Sequence, residues 1–467
     1  MKSRTVHRCT ECDGETPRWL GRCPACEAWG TLVEDAHRGR PALTVLPGVV
    51  SRPLPIAQVD TRTSTPRSTG VDELDRVLDG GLVPGSVTLL AGEPGMGKST
   101  LLLQALGRMS AQGARCLLVT AEESCAQVRT RAVRIGALTP NLLVVGETSL
   151  PHVVAHVESV APDVLALDSI QSVLDPDLPG APGSVTQVRD CAYRLVQQAK
   201  ARDLATVLVG HVTKEGTLAG PRVLEHVVDT VLSFDGDRGH TLRLLHALKH
   251  RFGSTQELGL LEMTESGLVG VPDASARFLV DRRSGLPGSA IAAVLEGARP
   301  LLVEVQALVV PTPMAMPRRS AAGIDTGRLA LILAVLQQRA QVPVAGAEVY
   351  ASVAGGLRVA ETGLDLALAL ALAGATSGRP VDVGTVAVGE LGLGGEVRSV
   401  PQLEHRLAEA ARLGFTRALV PPSAAKGERS TRPGMRVVEV RDLRETLEHG
   451  LAPDDGLAPD ERARALQ

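Results

Sequence analysis

One stretch of this sequence has the residue types and spacing of a phosphate site. It reads GEPGMGKST and has the form Gly-x-x-x-x-Gly-Lys-Ser. Its glycines let backbone N–H groups curl around a phosphate, Lys98 can reach the β- and γ-phosphates, and the hydroxyl of Ser99 can bind Mg²⁺. We therefore predict a site for ATP and magnesium, in which the nucleotide is bound by Gly92, Glu93, Pro94, Gly95, Met96, Gly97, Lys98, Ser99 and Thr100.

A second stretch has the spacing of a metal site. It contains Cys9-x2-Cys12, ten intervening residues, and then Cys23-x2-Cys26. Four thiolates complete a tetrahedral zinc shell and leave no open position, so we predict a structural zinc ribbon. Two redox-active cysteine pairs are the alternative. We expect the two flanking tryptophans, Trp19 and Trp29, to pack the ribbon, with a docking or stacking role as the alternative.

The phosphate motif needs a strand before it and a helix after it. An apolar run at 87–91 and a helical run at 100–109 supply both, which is the context that identifies a P-loop. Further apolar strands are predicted at 114–120, 142–145, 164–168, 205–211, 230–234 and 243–249, with helices between several of them. This alternation predicts a mainly parallel sheet that binds phosphates at the carboxyl ends of its strands.

Two acidic residues are expected at those strand ends. Asp168 ends the run VLALD and can hold Mg²⁺ through water, although an N-cap role is the alternative. Glu122 follows the strand at 116–120 and can orient and deprotonate the attacking water. We favour Glu122 over Glu123 for this role. A simple pair of acids at a helix N-terminus is the alternative.

Two more strand ends carry candidate residues. His211 and Thr213 could sense the γ-phosphate at the start of a glycine-flanked loop that runs to Gly220, unless that loop is merely solvated. Lys249 and Arg251, two residues apart near a strand end, project to one side and suit DNA phosphates or a neighbouring subunit's nucleotide. A solvated basic patch is the alternative.

Composition narrows the class of protein. The chain has 467 residues, which suits two or three domains, and a net charge of −3, which excludes coating of nucleic acid by bulk charge. Two Trp, two Tyr and four Phe leave little aromatic surface for base stacking. Because no apolar run resembles a signal peptide or spans a bilayer, we predict a cytoplasmic protein without membrane contact.

Over nearly its whole length the chain resembles the RadA (Sms) family of bacterial DNA-repair proteins. Four stretches carry the resemblance: the ribbon with PRWLGRCPACEAWGTL, the P-loop, GHVTKEGTLAGPRVLEHVVDTVL from Gly210, and KHRFG from Lys249. The last departs from the family's Lys-Asn-Arg-Phe-Gly, because His250 replaces the asparagine. Any hydrogen bond made by that amide is therefore in doubt.

The resemblance implies a RecA-like ATPase with DNA-stimulated hydrolysis, hexameric rings, and branch migration on single-stranded and branched DNA beside a RecA-type recombinase filament. It implies ATP, Mg²⁺ and Zn²⁺ as cofactors. It assigns magnesium to Asp168, in agreement with the magnesium role that the motif gives Ser99, while nucleotide sensing by His211 is predicted from its place at a strand end. The residues that it implies for catalysis are Lys98, Glu122, Asp168, Lys249 and Arg251. A nucleotide-gated DNA-binding module without motor activity is the alternative.

We predict an α/β protein of five segments. These are a zinc ribbon at 1–35, a linker at 36–68, the ATPase domain at 69–270, a C-terminal α/β domain at 285–451 and a mobile tail at 452–467. The C-terminal domain resembles the Lon protease domain but lacks its Ser–Lys dyad. Gly363 stands at the nucleophile position, Glu404 stands at the lysine position, and Lys426 is the one lysine after Lys249. We therefore expect a scaffold and not a peptidase.

Overall fold

The computed structural model describes residues 5–12, 14–36, 55–56, 65–211, 222–236, 241–422 and 434–453. They fall into two compact units. The first comprises Met1–Gly236, Arg243–Thr255 and Leu261–Gly270, and the second comprises Asp237–Leu242, Gln256–Leu260 and Val271–Gln467. Most of the predicted linker and tail, together with Thr213, Gly220 and Lys426, lies outside the described residues.

The N-terminal ribbon is a small antiparallel sheet in the order β2-β1-β3. Its strands are β1 Thr5–Cys9, β2 Glu15–Thr16 and β3 Leu32–Ala36. Its buried apolar side chains are those of Cys9, Cys23 and Leu32. So small a core cannot fold a segment of this length, which agrees with a metal-dependent fold.

The ATPase domain alternates strands and helices from α1 to β9, and three more strands follow. The helices are α1 Asp72–Val77, α2 Lys98–Ala111, α3 Cys125–Arg134, α4 Leu150–Val160, α5 Val185–Arg202 and α6 Arg222–Glu225. The strands are β4 Val87–Gly92, β5 Cys116–Thr120, β6 Leu142–Gly146, β7 Val164–Asp168, β8 Ala205–His211, β9 Thr230–Gly236, β10 Leu242–His250, β11 Leu258–Thr264 and β12 Gly267–Gly270.

Those nine strands form one sheet in the order β12-β11-β10-β9-β4-β8-β7-β5-β6. The six strands from β9 to β6 run parallel, whereas β10 pairs antiparallel to β9 and β12 antiparallel to β11. Strand β4 is buried along its whole length, because apolar clusters cover both of its faces. Its central place puts the P-loop beside the ends of β8 and β9. We call the strands β9 to β12 the flank of the sheet.

The C-terminal unit has a mixed seven-stranded sheet in the order β15-β16-β14-β13-β17-β20-β21, with a separate β18-β19 pair. Its strands are β13 Ser289–Glu296, β14 Arg299–Pro311, β15 Arg319–Ala322, β16 Ala347–Val353, β17 Thr385–Ala387, β18 Glu390–Leu391, β19 Val397–Arg398, β20 Arg417–Val420 and β21 Arg436–Glu439. Its helices are α7 Ala274–Leu279, α8 Thr326–Arg339, α9 Asp365–Ser377, α10 Leu403–Arg412 and α11 Leu443–Gly450.

The apolar helix α9 is a core helix. Every residue from Asp365 to Gly374 is buried, and α9 packs against β13 and β14. In the part of the chain that the structure describes, no helix is long and apolar enough to cross a membrane.

Two observations differ from the sequence prediction. Arg67 and Ser68, predicted to belong to the linker, bond to the ATPase domain: Arg67 exchanges backbone hydrogen bonds with Leu82, and the Ser68 hydroxyl donates to Asp75 at 2.6 Å. The strand predicted at 243–249 is present as β10, and two further strands that were not predicted, β11 and β12, extend the sheet beyond it. The apolar pattern does not reveal this order, because pairing partners are set by tertiary contacts.

Candidate nucleotide and metal sites

The P-loop lies between β4 and α2, and its backbone requires glycine at two positions. Gly97 has φ of 105°, and a Cβ there would lie 2.4 Å from Cε of Met263. A Cβ on Gly92 would lie 2.3 Å from the backbone oxygen of Phe234. Helix α2 begins at Lys98, so its N-terminal N–H groups and positive dipole end face the loop. The loop therefore has the form of an anion site.

Lys98 lies inside this loop. Its side chain is buried, and Nζ donates hydrogen bonds to the backbone oxygens of Gly92 at 2.7 Å and Glu93 at 2.8 Å. Burial lowers the pKa of the Lys98 ammonium, while the charges of Asp168 and Glu122 oppose that shift. A buried cation whose partners are carbonyl oxygens is matched to a ligand that carries several negative charges.

The residues expected to bind magnesium lie together. Asp168 ends β7, and its carboxylate shares a hydrogen bond with the hydroxyl of Ser99 on α2. Burial raises the pKa of Asp168, and the Ser99 hydrogen bond acts in the opposite direction. A carboxylate beside a hydroxyl is the hard-oxygen donor set that Mg²⁺ prefers, and a bound cation would keep this buried acid ionised. The donors present therefore fit the metal.

The carboxylate of Glu122 belongs to the same site as Asp168. Its Oε1 accepts hydrogen bonds from the hydroxyls of Ser169 and of Ser172, the latter at 3.1 Å, and contacts Nε2 of His211 at 3.2 Å. The His211 contact and these hydroxyls lower the pKa of Glu122 to about 2, against the effect of burial. A carboxylate with so low a pKa is a weak base, so it is suited to orient a water molecule more than to deprotonate it.

The neighbouring residue, Glu123, forms its contacts outside this site. Its carboxylate pairs with Arg131 at 2.5 Å, and its backbone oxygen accepts from the hydroxyl of Thr120 at 2.8 Å. Helix α3, which follows Glu123, begins with a capping box formed by Ser124 and Gln127. The geometry thus supports the preference for Glu122, which stays a prediction. Ser172, which the sequence reasoning did not single out, enters the site because a short 3₁₀ turn, Ile170–Ser172, follows β7.

His211 is the next member of this cluster, through its contact with Glu122. It ends β8 and lies opposite Gly92 in the register of β4 and β8, so it stands at the mouth of the P-loop. Its Nδ1 is buried and has no hydrogen-bond partner among the residues that the structure describes. The second predicted sensor, Thr213, lies outside the described residues. His211 therefore stays the candidate for sensing the terminal phosphate.

The four ribbon cysteines converge as a metal site requires. Their Sγ atoms all lie within 4.8 Å of one another, with Cys9–Cys26 at 3.5 Å and Cys12–Cys23 at 3.6 Å. Tetrahedral zinc with bonds of about 2.3 Å separates thiolates by about 3.8 Å. Zinc therefore fits this cluster with small adjustments.

The tryptophans lie on the surface of the ribbon. Trp19 is 61% exposed and Trp29 is 76% exposed, so neither side chain fills a core. The ring of Trp29 packs over the backbone of Gly21. The metal replaces a hydrophobic core here, which leaves both rings on the surface.

We predict that Cys23→Ser abolishes zinc binding and unfolds the ribbon while leaving ATP affinity within about twofold of wild type. Structural zinc supplies on the order of 10 kcal/mol of folding free energy to such a segment, which its small apolar core cannot replace. Zinc content, proteolysis of residues 5–36 and titration with a fluorescent ATP analogue check this. Cys191→Ser, at a buried thiol of the ATPase domain, is the control that keeps zinc. A large loss of ATP affinity in Cys23→Ser would contradict the independence of the two sites.

Three family models match the chain. The KaiC ATPase model matches residues 67–156, a rubredoxin metal-binding domain model matches residues 7–34, and the model for subunit ChlI of Mg-chelatase matches residues 334–424. They coincide with the P-loop region, the cysteine ribbon and the C-terminal unit. These matches confirm the α/β class, the ATPase domain and the zinc ribbon.

Curated relatives match almost end to end. DNA repair protein RadA of Bacillus subtilis (strain 168) is 42% identical over 456 residues, which cover 96% of this chain and 99% of the relative. RadA of Synechocystis sp. is 45% identical and covers 90% of this chain and 89% of the relative. The chain belongs to the RadA family of DNA repair proteins. Membership confirms the predicted family and, with the matched domains, ATP, Mg²⁺ and Zn²⁺ as its cofactors.

A solved structure is also similar. A KaiC-like protein from Pyrococcus horikoshii is 20% identical, with a TM-score of 0.38, and the match covers 45% of this chain and all of that one. The score is too low to support a conclusion about the fold.

The KHRFG motif of this RadA-family chain lies away from its own P-loop. In the sheet register His250 lies opposite Thr230, and Thr230 lies opposite Thr88 near the start of β4, whereas the P-loop follows the other end of that strand. Four residues of strand separate these levels by about 13 Å. The structure thus brings Lys98, Glu122, Asp168 and His211 together, and it does not bring Lys249 and Arg251 to them.

Lys249 and Arg251 are each held by the segment before β9. Nζ of Lys249 donates to the backbone oxygens of Glu225 at 2.6 Å and Val228 at 2.8 Å. Arg251 pairs with Asp229 at 3.0 Å, and the buried Asp229 also accepts the backbone N–H of Val87 at 3.1 Å. Burial and the nearby Arg251 lower the pKa of Lys249.

The side chain of His250, the residue that departs from the family pattern, contacts Thr230 at the start of β9 and the nearby Phe252. Its Nδ1 lies 2.9 Å from the hydroxyl of Thr230, and its ring meets Phe252 edge to face with centroids 6.0 Å apart. Burial lowers the pKa of His250, which favours the neutral ring. A neutral imidazole can therefore keep a polar contact at this position in place of the asparagine amide.

The region where the sequence predicts the position of a Lon-type dyad contains an ion pair. Arg406, fully buried on α10, binds Glu361 through both terminal nitrogens at 2.5 and 2.6 Å, and also donates to the backbone oxygens of Ala293 and Pro401. A Cβ on Gly363 would lie 2.7 Å from Nη1 of Arg406. Glu404, the residue aligned with the lysine, is exposed. Arg406 thus occupies the space beside the nucleophile position.

Proposed function

We propose that this RadA-family ATPase is a DNA-dependent motor that processes recombination intermediates, driving branch migration as a hexameric ring on single-stranded and branched DNA beside a RecA-type filament. One observation carries the proposal: two fixed cations, Lys249 and Arg251, lie at the edge of the sheet opposite their own P-loop. Cations held there can meet a neighbouring subunit's nucleotide or a DNA backbone.

The residues around the P-loop are assigned as follows in this proposal. Gly92 to Thr100 bind the nucleotide, Ser99 and Asp168 hold magnesium, Glu122 orients water and His211 senses the terminal phosphate. When bound, the metal neutralises phosphate charge and orients the terminal phosphoryl group. Ser169 and Ser172 hold Glu122 in place through their hydroxyls.

We propose that the C-terminal domain is a scaffold without peptidase activity. Its support is the Arg406–Glu361 pair, because a serine at Gly363 would collide with the guanidinium before any base could activate it. ATP-dependent digestion of casein by the purified protein would contradict this assignment.

The motor proposal is tested by ATP turnover with and without DNA. Single-stranded or branched DNA should raise turnover, and the protein should extend heteroduplex in a branch-migration assay, while Lys98→Ala does neither. If nucleotide-dependent DNA binding persists without branch migration, the gated binding module is the correct function. Turnover that no DNA changes would count against the motor.

The role of Arg251 across a subunit boundary is tested in mixed rings. Arg251→Ala subunits keep a working P-loop and Lys98→Ala subunits keep the arginine, so mixing the two should recover ATPase activity that neither has alone. Because Arg251→Ala also leaves the buried Asp229 without its ion pair, Asp229→Asn is the matched control and should keep activity. Absence of recovery would assign Arg251 to DNA or to its own subunit.

A further inference from the structure

A buried arginine lies beneath the P-loop. Arg243 is the second residue of β10, and its register partner is Gly236 at the end of β9, the strand beside β4. It therefore stands at the same edge of the sheet as the phosphate site, unlike Lys249 at the other end of β10. Only 6% of Arg243 is exposed. A buried guanidinium beside a site for a polyanion calls for an account of its role.

The side chain of Arg243 contacts the loop itself. Its Nε donates a hydrogen bond to the backbone oxygen of Met96 at 3.1 Å, and Met96 is buried. In a P-loop the N–H groups converge on the phosphates, so the carbonyl groups between them must find donors on the opposite side. Arg243 provides a charged donor to one of those carbonyls.

The flank of the sheet holds the rest of the loop in the same way. The backbone oxygen of Phe234 on β9 and the side chain of Met263 on β11 define how closely Gly92 and Gly97 approach it. Helix α2 is tied to β12, because Gln104 exchanges two hydrogen bonds with the backbone of Leu268, at 2.8 and 3.1 Å. The loop and its helix therefore rest on the flank, in which the strands β10 to β12 lie outside the parallel part of the sheet.

We propose that Arg243 is a positioning residue for the nucleotide phosphates. It holds the Met96 carbonyl toward the flank, so that the loop N–H groups face the ligand, and it places a second buried cationic side chain, besides that of Lys98, at the loop. This inference rests on ATP binding at the P-loop. It adds that affinity for the phosphate chain depends on a residue that lies 147 positions from Met96 in the sequence.

Three variants separate the two parts of this role. Arg243→Met removes the donor and the charge while keeping an apolar stem, Arg243→Gln keeps a donor without charge, and Arg243→Lys keeps the charge. Arg129→Met, at an exposed arginine of α3, is the control and should bind like wild type. Titration with fluorescent ATP and ADP analogues gives Kd, and steady-state assays give kcat and KM.

Arg243→Met should weaken ATP binding about 10- to 100-fold, the range expected for loss of a charge-assisted hydrogen bond. Affinity should fall in the order wild type, Lys, Gln, Met. Because the contact is present before and during reaction, KM should rise while kcat changes by less than about threefold. A solely structural role would lower stability without this ordered change in Kd.

The reference variant is Lys98→Ala. If Lys98→Ala loses ATP affinity and all three Arg243 variants stay within about twofold of wild type, the inference is overturned. If Lys98→Ala also binds like wild type, the P-loop assignment fails and the inference falls with it. Should Arg243→Met fail to fold, as judged by hydrogen exchange in β4, the Gln and Lys variants decide: stronger binding by Lys supports the role of the charge, and equal wild-type affinity overturns it.

Discussion

Glu122→Gln should reduce ATP hydrolysis by about 10²- to 10⁴-fold while leaving ATP affinity within about threefold of wild type. An amide keeps the size of the side chain and one acceptor oxygen, but it loses the negative charge that orients the attacking water. Single-turnover hydrolysis and nucleotide titration of the same samples separate the two effects. Glu123→Gln is the matched control, since Glu123 pairs with Arg131 and should retain most of the activity.

The pH dependence adds an independent check on Glu122. Its pKa in the folded protein is about 2, below the ordinary value of about 4.3, so the carboxylate is ionised at every pH above that range. The stability that its contacts contribute is therefore present above about pH 4 and is lost as the pH falls toward 2. Loss of hydrolysis between pH 6 and about 5 should have its origin elsewhere. Glu123→Gln being more damaging than Glu122→Gln would refute the assignment.

Arg406→Met should destabilise the C-terminal domain by about 3–5 kcal/mol, the usual result of removing one partner of a buried ion pair. The variant leaves Glu361 partly buried and without its ion pair, although the carboxylate still accepts a hydrogen bond from the backbone N–H of Leu295. It also removes the arginine donors from the backbone oxygens of Ala293 and Pro401. The whole chain has two units and is not expected to unfold in one step. Hydrogen exchange in β13 and α10 therefore measures the effect where it arises.

Arg412→Met is the control for that experiment. Arg412 lies on the same helix and pairs with Asp273 at 2.7 Å and with Glu409 at 2.8 Å, but its own side chain is close to half exposed. Pairs of such an exposed arginine contribute about 0–1 kcal/mol each, so its loss should change exchange less than loss of the fully buried Arg406 does. Equal protection in the Arg406 and Arg412 variants would mean that the buried pair does not hold this domain together.

Short stretches of the sequence were sufficient to predict the chemistry of the P-loop and of the zinc ribbon. In the P-loop and in the ribbon, the spacing of a few residues along the chain determines where the atoms meet, because turns and strand ends are local structures. The strand ends at Asp168 and His211 were also predicted to the residue, since apolar runs mark buried parallel strands well. The high exposure of the tryptophans was not evident from the sequence, because their apolar character suggests burial, whereas this ribbon has a very small core.

Other features depend on residues that the fold alone brings together. The Glu122 cluster joins three strand ends, Arg243 reaches Met96 from a strand on the far side of β9, and Arg406 on α10 meets Glu361, which lies 45 residues earlier in the chain. The primary structure established the family, the cofactors and the alternating strand–helix order, because these depend on local spacing. Which cation lies at which edge of the sheet was decided by sheet register, since a shift of a few residues along β10 moves a charge from the nucleotide edge to the opposite one.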